Sequence, residues 1–132
     1  MLIMIKRQQE NVKYQMTLNE IKEILENNPV ALSTVTEENK PNVIAVAFVK
    51  IVQNQILITD NYMNETLQNI KANNNVCLVV WNKDWQGYKI VGAASYYNNG
   101  EWLDYVKKMS ENKGLPAKGA ILTDIEKIVK LG

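Results

Sequence analysis

The chain of 132 residues contains no histidine and only one cysteine. Without histidine, the serine–histidine and cysteine–histidine nucleophilic systems are excluded, and so is nearly every type of zinc site. Cys77 lies inside an apolar segment and has no second thiol to pair with, so we interpret it as a small core residue. The other titratable groups are scattered lysines and carboxylates, and none identifies itself as catalytic. We therefore expect any reaction to depend on a bound cofactor, with no metal site.

The chain also lacks a large net charge of either sign. Lysine and arginine number 15 against 14 for aspartate and glutamate, which gives a net charge of +1. This balance provides no general attraction to nucleic acid or to an anionic membrane surface. The apolar run at residues 1–5 is far too short to span a bilayer, and its basic residues, Lys6 and Arg7, follow the run instead of preceding it as in a secretory signal. We expect a cytoplasmic protein that does not insert into a membrane.

The N-terminal part of the chain predicts an extension followed by a helix. Residues 1–15 show no clear hydrophobic period, and we place a single domain at residues 16–132. Thr17 and Glu20 form a capping-box signature ahead of an apolar stripe. The helix is expected to stop at residues 27–29, because a residue that precedes proline disfavours helical geometry.

The rest of the chain alternates short β-branched runs with turns and two further helices. We expect one helix with Asn64 as its N-cap and another over residues 101–110. Gly92, inside a predicted strand, indicates a bulge. Short antiparallel strands on a chain of this size favour a small closed barrel, and we expect the first three strands to form a meander. The predicted strands cover residues 30–36, 42–52, 56–58, 76–81, 88–97 and 117–130.

The segment 55–81 is the most informative part of the sequence, because it reads as a strand, a polar turn, a helix and another strand. A strand that leads into a helix N-terminus exposes unpaired backbone amides and the positive end of the helix dipole. That arrangement suits a phosphate group. The alternative is an ordinary crossover helix that binds no ligand.

The order of elements and three stretches of sequence resemble the pyridoxamine-phosphate-oxidase-like flavin-binding proteins. The resemblance covers residues 16–131 and depends on NPVALSTVTEENKPNVIAVAFV, ILITDNYMNETLQNIKANNNVCLVVW and GYKIVGAASYY. It implies an α+β fold, a six-stranded antiparallel Greek-key split β-barrel with flanking helices. It also implies a homodimer that binds FMN at the interface between its subunits.

The resemblance further implies which residues bind FMN. The phosphate is expected at the turn and helix start, and the ring along one strand and the end of another. The small side chains of Ala45 and Ala47 would let the ring approach the strand closely, although they are equally consistent with routine packing. The partner subunit is expected to contribute the strand that begins at Gly87. Trp85 is added as a candidate from its position in the loop before this strand, where a partner loop could cover the ring. The candidate cofactor-binding residues are Val46, Ala47, Thr59, Asp60, Asn61, Met63, Asn64, Glu65, Thr66, Trp85 and Lys89.

Several of these positions keep more than one interpretation. Glu65 stands where the family usually has a basic residue, and a charge pair at about 4 Å with an effective dielectric near 20 is worth on the order of 4 kcal/mol. Its carboxylate either faces the phosphate or points to solvent. Lys89 and Lys71 are two candidates for supplying the positive charge that the family usually has at the position of Glu65. The alternative is that both are ordinary surface lysines. Asp60 either accepts a hydrogen bond from the flavin ring or caps the turn. Trp85 either covers the flavin ring or packs in an interface or core.

Three functions from different classes are consistent with these observations. The first is an FMN-dependent oxidoreductase that passes hydride or electrons to a small molecule. The second is a module that binds or carries a flavin or another flat cofactor without catalysis. The third is an oligonucleotide-binding barrel, which the near-zero net charge and the lack of a basic stripe disfavour.

Overall fold

A computed structural model describes residues 16–132 of the chain, so the expected extension at residues 1–15 lies outside the described part. The described part begins with a 3₁₀ turn, Leu18–Ile21, that runs directly into helix α1, Lys22–Asn27. The capping box is present as expected: the Thr17 amide donates to Glu20 Oε2 at 3.0 Å. Because these contacts fix the start of the turn, Ile21 of the 3₁₀ turn and Leu25 of α1 are buried in the core against the sheet.

The strands form a single antiparallel sheet of seven, where the sequence predicted six. Their order across the sheet is β2-β1-β5-β6-β7-β4-β3. The strands are β1, Val30–Val35; β2, Pro41–Val46; β3, Lys50–Val52; β4, Gln55–Asp60; β5, Asn75–Trp81; β6, Gly87–Tyr97; and β7, Gly119–Leu131.

The extra strand arises because the predicted strand 42–52 is broken in the middle. Val46 and Val49 are both buried in the same apolar core, at 8% and 1% exposure. In a continuous strand, side chains separated by an odd number of positions point to opposite faces. The chain therefore leaves the sheet after Val46 and re-enters it at Lys50, which makes β2 and β3 separate strands.

This break also corrects the predicted meander and the predicted closed barrel. β2 pairs with β1 and β3 pairs with β4, but β2 and β3 lie at opposite edges of the sheet. Within residues 16–132 no strand pairing joins those two edges. The sheet is thus curled and open along one seam, as in a split barrel, and the chain crosses that seam at residues 47–49.

The remaining helices cover the sheet and connect its halves. Helix α2, Glu65–Ala72, follows the expected N-cap Asn64 and links β4 to β5. Helix α3, Glu101–Lys108, ends two residues before the predicted boundary and continues into a 3₁₀ turn, Ser110–Asn112. α3 buries Val106 against a second apolar cluster on the outer side of β4 and β7, which leaves β4 covered on both faces. None of the described helices is long and apolar enough to cross a membrane.

The bulge expected at Gly92 is present. The pairing of β6 with β7 shifts register between Val91 and Gly92. A Cβ at this position would overlap the backbone oxygen of Asp124, so only glycine allows the two strands to approach this closely.

Candidate functional site

A cavity of about 430 Å³ opens where the split edge of the sheet meets the start of α2. This volume lies in the range of small-molecule binding sites, about 300–1,000 Å³. Most of the residues predicted to bind the cofactor line it, together with neighbours that the sequence did not single out. The lining residues are Asn42, Ile44, Ala45, Val46, Ala47, Phe48, Thr59, Asn61, Tyr62, Met63, Asn64, Glu65, Thr66 and Leu115.

One wall of the cavity is the apolar end of β2 and the segment that follows it. Val46 is buried, whereas Ala45 and Ala47 on either side of it are exposed. Their side chains are single methyl groups, so the strand backbone between them is accessible to a flat ligand. Ile44 and Phe48 extend the apolar surface on both sides.

The opposite wall is the N-terminus of α2. Hydrogen bonding within the helix begins with the Gln68 amide, which donates to the Asn64 carbonyl at 3.2 Å. The amides of residues 65–67 come before this bond and have no acceptor among residues 16–132. The Asn64 side chain makes no capping bond to them. These amides are therefore free donors at the positive end of the helix dipole.

Buried polar side chains attach this helix to the sheet. Asn69 Nδ2 donates to Thr34 Oγ1 at 3.0 Å, which joins α2 to β1. Asn42 Nδ2 lies 3.4 Å from Thr66 Oγ1, a long contact in which the hydroxyl accepts. Thr66 is only 2% exposed, yet it lines the cavity. The sequence gave no signal for the roles of Asn42 and Asn69, because their partners lie far away along the chain.

Asp60 does not line the cavity. Its carboxylate is fully buried and accepts hydrogen bonds from the Met63 amide at 2.8 Å and the Tyr96 hydroxyl at 2.6 Å. The Tyr96 hydroxyl in turn lies directly over Gly119, where any Cβ would overlap it. Of the two roles considered for Asp60, this geometry is that of a residue that fixes the turn between β4 and α2.

A lysine that the sequence analysis did not single out lies beside this turn. Lys118 Nζ donates to the Met63 carbonyl at 2.5 Å and lies 3.8 Å from Asp60 Oδ1. It reaches the turn because the Lys118 amide also donates to the Asp60 carbonyl, which pairs the start of β7 with the end of β4. Lys71, by contrast, lies over the Tyr96 ring at 5.9 Å from its centroid. Lys118 is thus the cation placed next to the helix start.

Lys89 and Trp85 do not reach the cavity of their own chain. Lys89 pairs with Val79, and the same row continues through Ala31 to Ala45. Lys89 and Ala45 are therefore three strand spacings apart, about 14 Å. Trp85 is 78% exposed at the tip of the β5–β6 loop. Any contact of these two residues with a ligand in the cavity has to come from a second copy of the chain.

Comparison with known proteins agrees with this architecture. The family model for pyridoxamine 5'-phosphate oxidase matches residues 17–131. The chain belongs to this family. An uncharacterised protein of Methanocaldococcus jannaschii is 35% identical over 112 residues, which cover 81% of this chain and 75% of that protein.

Solved structures show the same fold at lower sequence identity. HupZ of Group A Streptococcus superposes with a TM-score of 0.79 and 23% identity, over 88% of this chain and 94% of that one. An FMN-binding protein of Syntrophomonas wolfei gives a TM-score of 0.73 and 16% identity, over 99% of this chain and 97% of that one. At these identities the likeness establishes the split-barrel fold alone.

The Asp60–Tyr96 bond predicts a pH-dependent contribution to stability. Burial, followed by the hydrogen bond and charge of Asp60, raises the pKa of Tyr96 above its ordinary value of 10.0. This contribution is fully present below pH 10 and is lost as the pH rises from there toward the folded-state pKa. Tyr96→Phe should lower the unfolding free energy by about 2 kcal/mol at pH 7, as expected for a bond to a charged acceptor. The difference from wild type should shrink above pH 10.

Urea unfolding of both proteins at several pH values measures this difference. The matched control is Tyr97→Phe, which alters the neighbouring, more exposed tyrosine. An equal loss of stability in both variants at pH 7 would show that the Asp60 bond contributes nothing particular.

Proposed function

We propose that the protein is a cytoplasmic FMN-binding flavoprotein that passes electrons between FMN and a small molecule. One observation carries the proposal: a single cavity combines an accessible apolar strand with a helix start whose amides are free. A bound FMN would supply the hydride- and electron-transfer chemistry that the side chains of this chain lack. The family match and the FMN-binding relative support the same cofactor class.

The residues present fit both ends of the cofactor. A flavin ring needs apolar cover, which β2 and the segment after it offer through Ala45, Val46 and Ala47. A phosphate needs donors, which the amides of residues 65–67 and the Thr66 hydroxyl offer. Both donor groups lie in the same cavity as the apolar wall, so one ligand can contact them together.

The charges around the phosphate end oppose one another. Glu65 lines the cavity and is exposed, so its carboxylate disfavours an anion wherever it turns inward. Lys118 lies on the other side of the turn and supplies the compensating positive charge. The Lys118 side chain is 45% exposed, so its ammonium has room to move from the Met63 carbonyl to a phosphate oxygen.

The alternative function is a module that binds or carries the flavin without catalysis. Among the described residues that line the cavity, Glu65 is the only charged one, and the others offer chiefly groups that bind and orient a ligand. Stopped-flow reduction of the FMN-loaded protein by NADH or NADPH, followed by turnover with an added acceptor, separates the two functions. Multiple turnovers support the oxidoreductase, whereas tight binding without turnover supports the carrier.

We further propose a homodimer with FMN at the interface. The side of β2, β1, β5 and β6 that faces away from the core carries two rows of residues that are small or apolar except for Lys89 at the β6 end. These rows define an apolar face: Val43, Ser33, Cys77 and Val91 in one row, and Ala45, Ala31, Val79 and Lys89 in the other. Val43 is 64% exposed. The solvated side of an antiparallel sheet is normally polar, so this composition favours cover by another protein surface.

The position of the cavity connects this face with the cofactor. Ala45 belongs both to the apolar face and to the cavity wall. A second copy packed on the face would therefore close the cavity from outside. Because a twofold interface presents the same patch from both subunits, Lys89 of each subunit would lie near the opposite cavity.

A charge inside the apolar face should break the dimer. Ala31→Glu places a carboxylate between Ala45 and Val79, where the proposed interface excludes water. Light scattering should give twice the 15.1 kDa chain mass for wild type and about one chain mass for the variant. Tyr105→Glu, on exposed α3, should remain dimeric. A wild-type mass of one chain would overturn both the dimer and the shared site.

The phosphate contacts should make the site selective for FMN. Titrations followed by flavin fluorescence should show FMN binding at least about tenfold tighter than riboflavin, or about 1.4 kcal/mol. Lys118→Met should remove much of this preference by weakening FMN binding and leaving riboflavin binding unchanged. Lys113→Met, in the same surface loop, is the matched control. Equal affinities for both flavins in wild type would mean that α2 begins as an ordinary helix.

The orientation of Glu65 can be determined by a pair of substitutions. If the carboxylate faces the phosphate, Glu65→Lys should tighten FMN binding by about 2 kcal/mol and increase its salt dependence. If it points to solvent, the change should stay below about 0.5 kcal/mol. In both cases Thr66→Ala should weaken binding by about 1 kcal/mol through loss of one donor. If the Glu65 and Thr66 variants both fold and both bind FMN with unchanged affinity, the phosphate does not bind at the start of α2.

A further inference from the structure

Asn112, at the end of the 3₁₀ turn after α3, lies behind the cavity wall. The side chain is 3% exposed. Its Nδ2 donates to the Val106 carbonyl at 2.8 Å and to Thr59 Oγ1 at 2.9 Å. Of these residues, only Thr59 lines the cavity. The amide therefore connects α3 to the cavity through one threonine hydroxyl.

The Val106 carbonyl determines which way the Asn112 amide is turned. A carbonyl oxygen only accepts hydrogen bonds, so the amide nitrogen and not the amide oxygen has to face it. The same nitrogen faces Thr59, and its two hydrogens are used by these two acceptors. The thioether of Met109, at 3.8 Å from Nδ2, is a weak and distant third contact. Asn112 Oδ1 meets no donor in the described part of the chain, so the nitrogen alone holds the side chain.

The orientation of the amide in turn fixes the role of the Thr59 hydroxyl. Because Thr59 Oγ1 accepts from Asn112, its own hydrogen has to point elsewhere. Among residues 16–132 no acceptor takes that hydrogen. Thr59 is 8% exposed and is one of the residues that line the cavity. The hydroxyl hydrogen at the end of β4 is thus available to an acceptor in the cavity.

We propose that Asn112 is a positioning residue that holds the Thr59 hydroxyl as a hydrogen-bond donor toward the cofactor. This inference rests on the proposed flavin site. The ligand atom that faces Thr59 is then an acceptor, a ring nitrogen or carbonyl oxygen, and not the ring N–H. Reduction adds electron density to the ring acceptors, and a fixed donor stabilises that density. The Asn112–Thr59 pair therefore favours the reduced form of the bound cofactor.

The geometry can be tested first without any ligand. The two side-chain amide protons of Asn112 should give separate NMR signals, one bonded to Thr59 and one to Val106. Thr59→Val should shift the first upfield and speed its exchange with solvent, and should leave the second unchanged. Thr59→Ser, which keeps the hydroxyl, should leave both unchanged. If Thr59→Val alters neither signal, the Asn112–Thr59 bond is absent and the proposal fails, whatever the protein binds.

The effect on the cofactor is tested in the FMN-loaded protein by reductive titration. Thr59→Val should lower the preference for reduced over oxidised FMN about tenfold, which equals about 30 mV for a two-electron couple. Asn112→Asp should do the same, because the new carboxylate accepts the Thr59 hydrogen and turns it away from the cavity. The double variant should show no further change. The matched control is Thr123→Val, a fully buried threonine outside the cavity, and it should leave the potential unchanged.

Each outcome bears on a separate conclusion. Additive effects of Thr59→Val and Asn112→Asp would mean that Asn112 acts only through the fold, and would overturn the positioning role. An unchanged potential in folded Thr59→Val would show that the hydroxyl does not meet the ring, and would also overturn it. If Asn112→Asp does not fold, the NMR signals and the Thr59 variants still decide. Wild-type protein that binds no FMN would refute the proposed flavin function, and the NMR result would stand on its own.

Discussion

The burial of both Val46 and Val49 is the constraint on which the architecture depends. A single extended strand cannot direct two side chains at an odd separation into one core. The chain therefore crosses from one edge of the sheet to the other at residues 47–49, and the sheet stays open along a seam. Because β2 ends at that seam, its backbone and small side chains are accessible where a closed barrel would have covered them. The cavity is a direct result of this break.

Asp60 supports the other side of the cavity without lining it. A fully buried carboxylate requires several donors to offset its loss of hydration. It obtains them from the Met63 amide and the Tyr96 hydroxyl, with the Lys118 ammonium nearby. Since these groups come from the turn, from β6 and from the residue just before β7, their convergence holds the start of α2 against the sheet. The free amides of the helix are thereby presented to the cavity in a fixed orientation.

Sequence reasoning succeeded where the physical signal is local. The capping box at Thr17, the helix start after Asn64 and the bulge at Gly92 each depend on residues close together in the chain or on the special geometry of glycine. It failed at the broken strand, because residues 43–49 are all β-branched or apolar and only tertiary burial reveals the break inside this run. It also missed Lys118 and Asn112, whose partners Met63 and Thr59 lie more than fifty positions away.

Gly119 influences the turn at Asp60 indirectly, through its contact with Tyr96. Gly119 touches neither the cavity nor the start of α2, yet a methyl group on its Cα would displace the tyrosine hydroxyl from Asp60. The turn would then lose one of the contacts that hold it, and the free amides of α2 would move with it. Gly119 and Tyr96 are therefore one unit in any redesign of this site: a larger residue at 119 requires a smaller one at 96, together with another donor for Asp60.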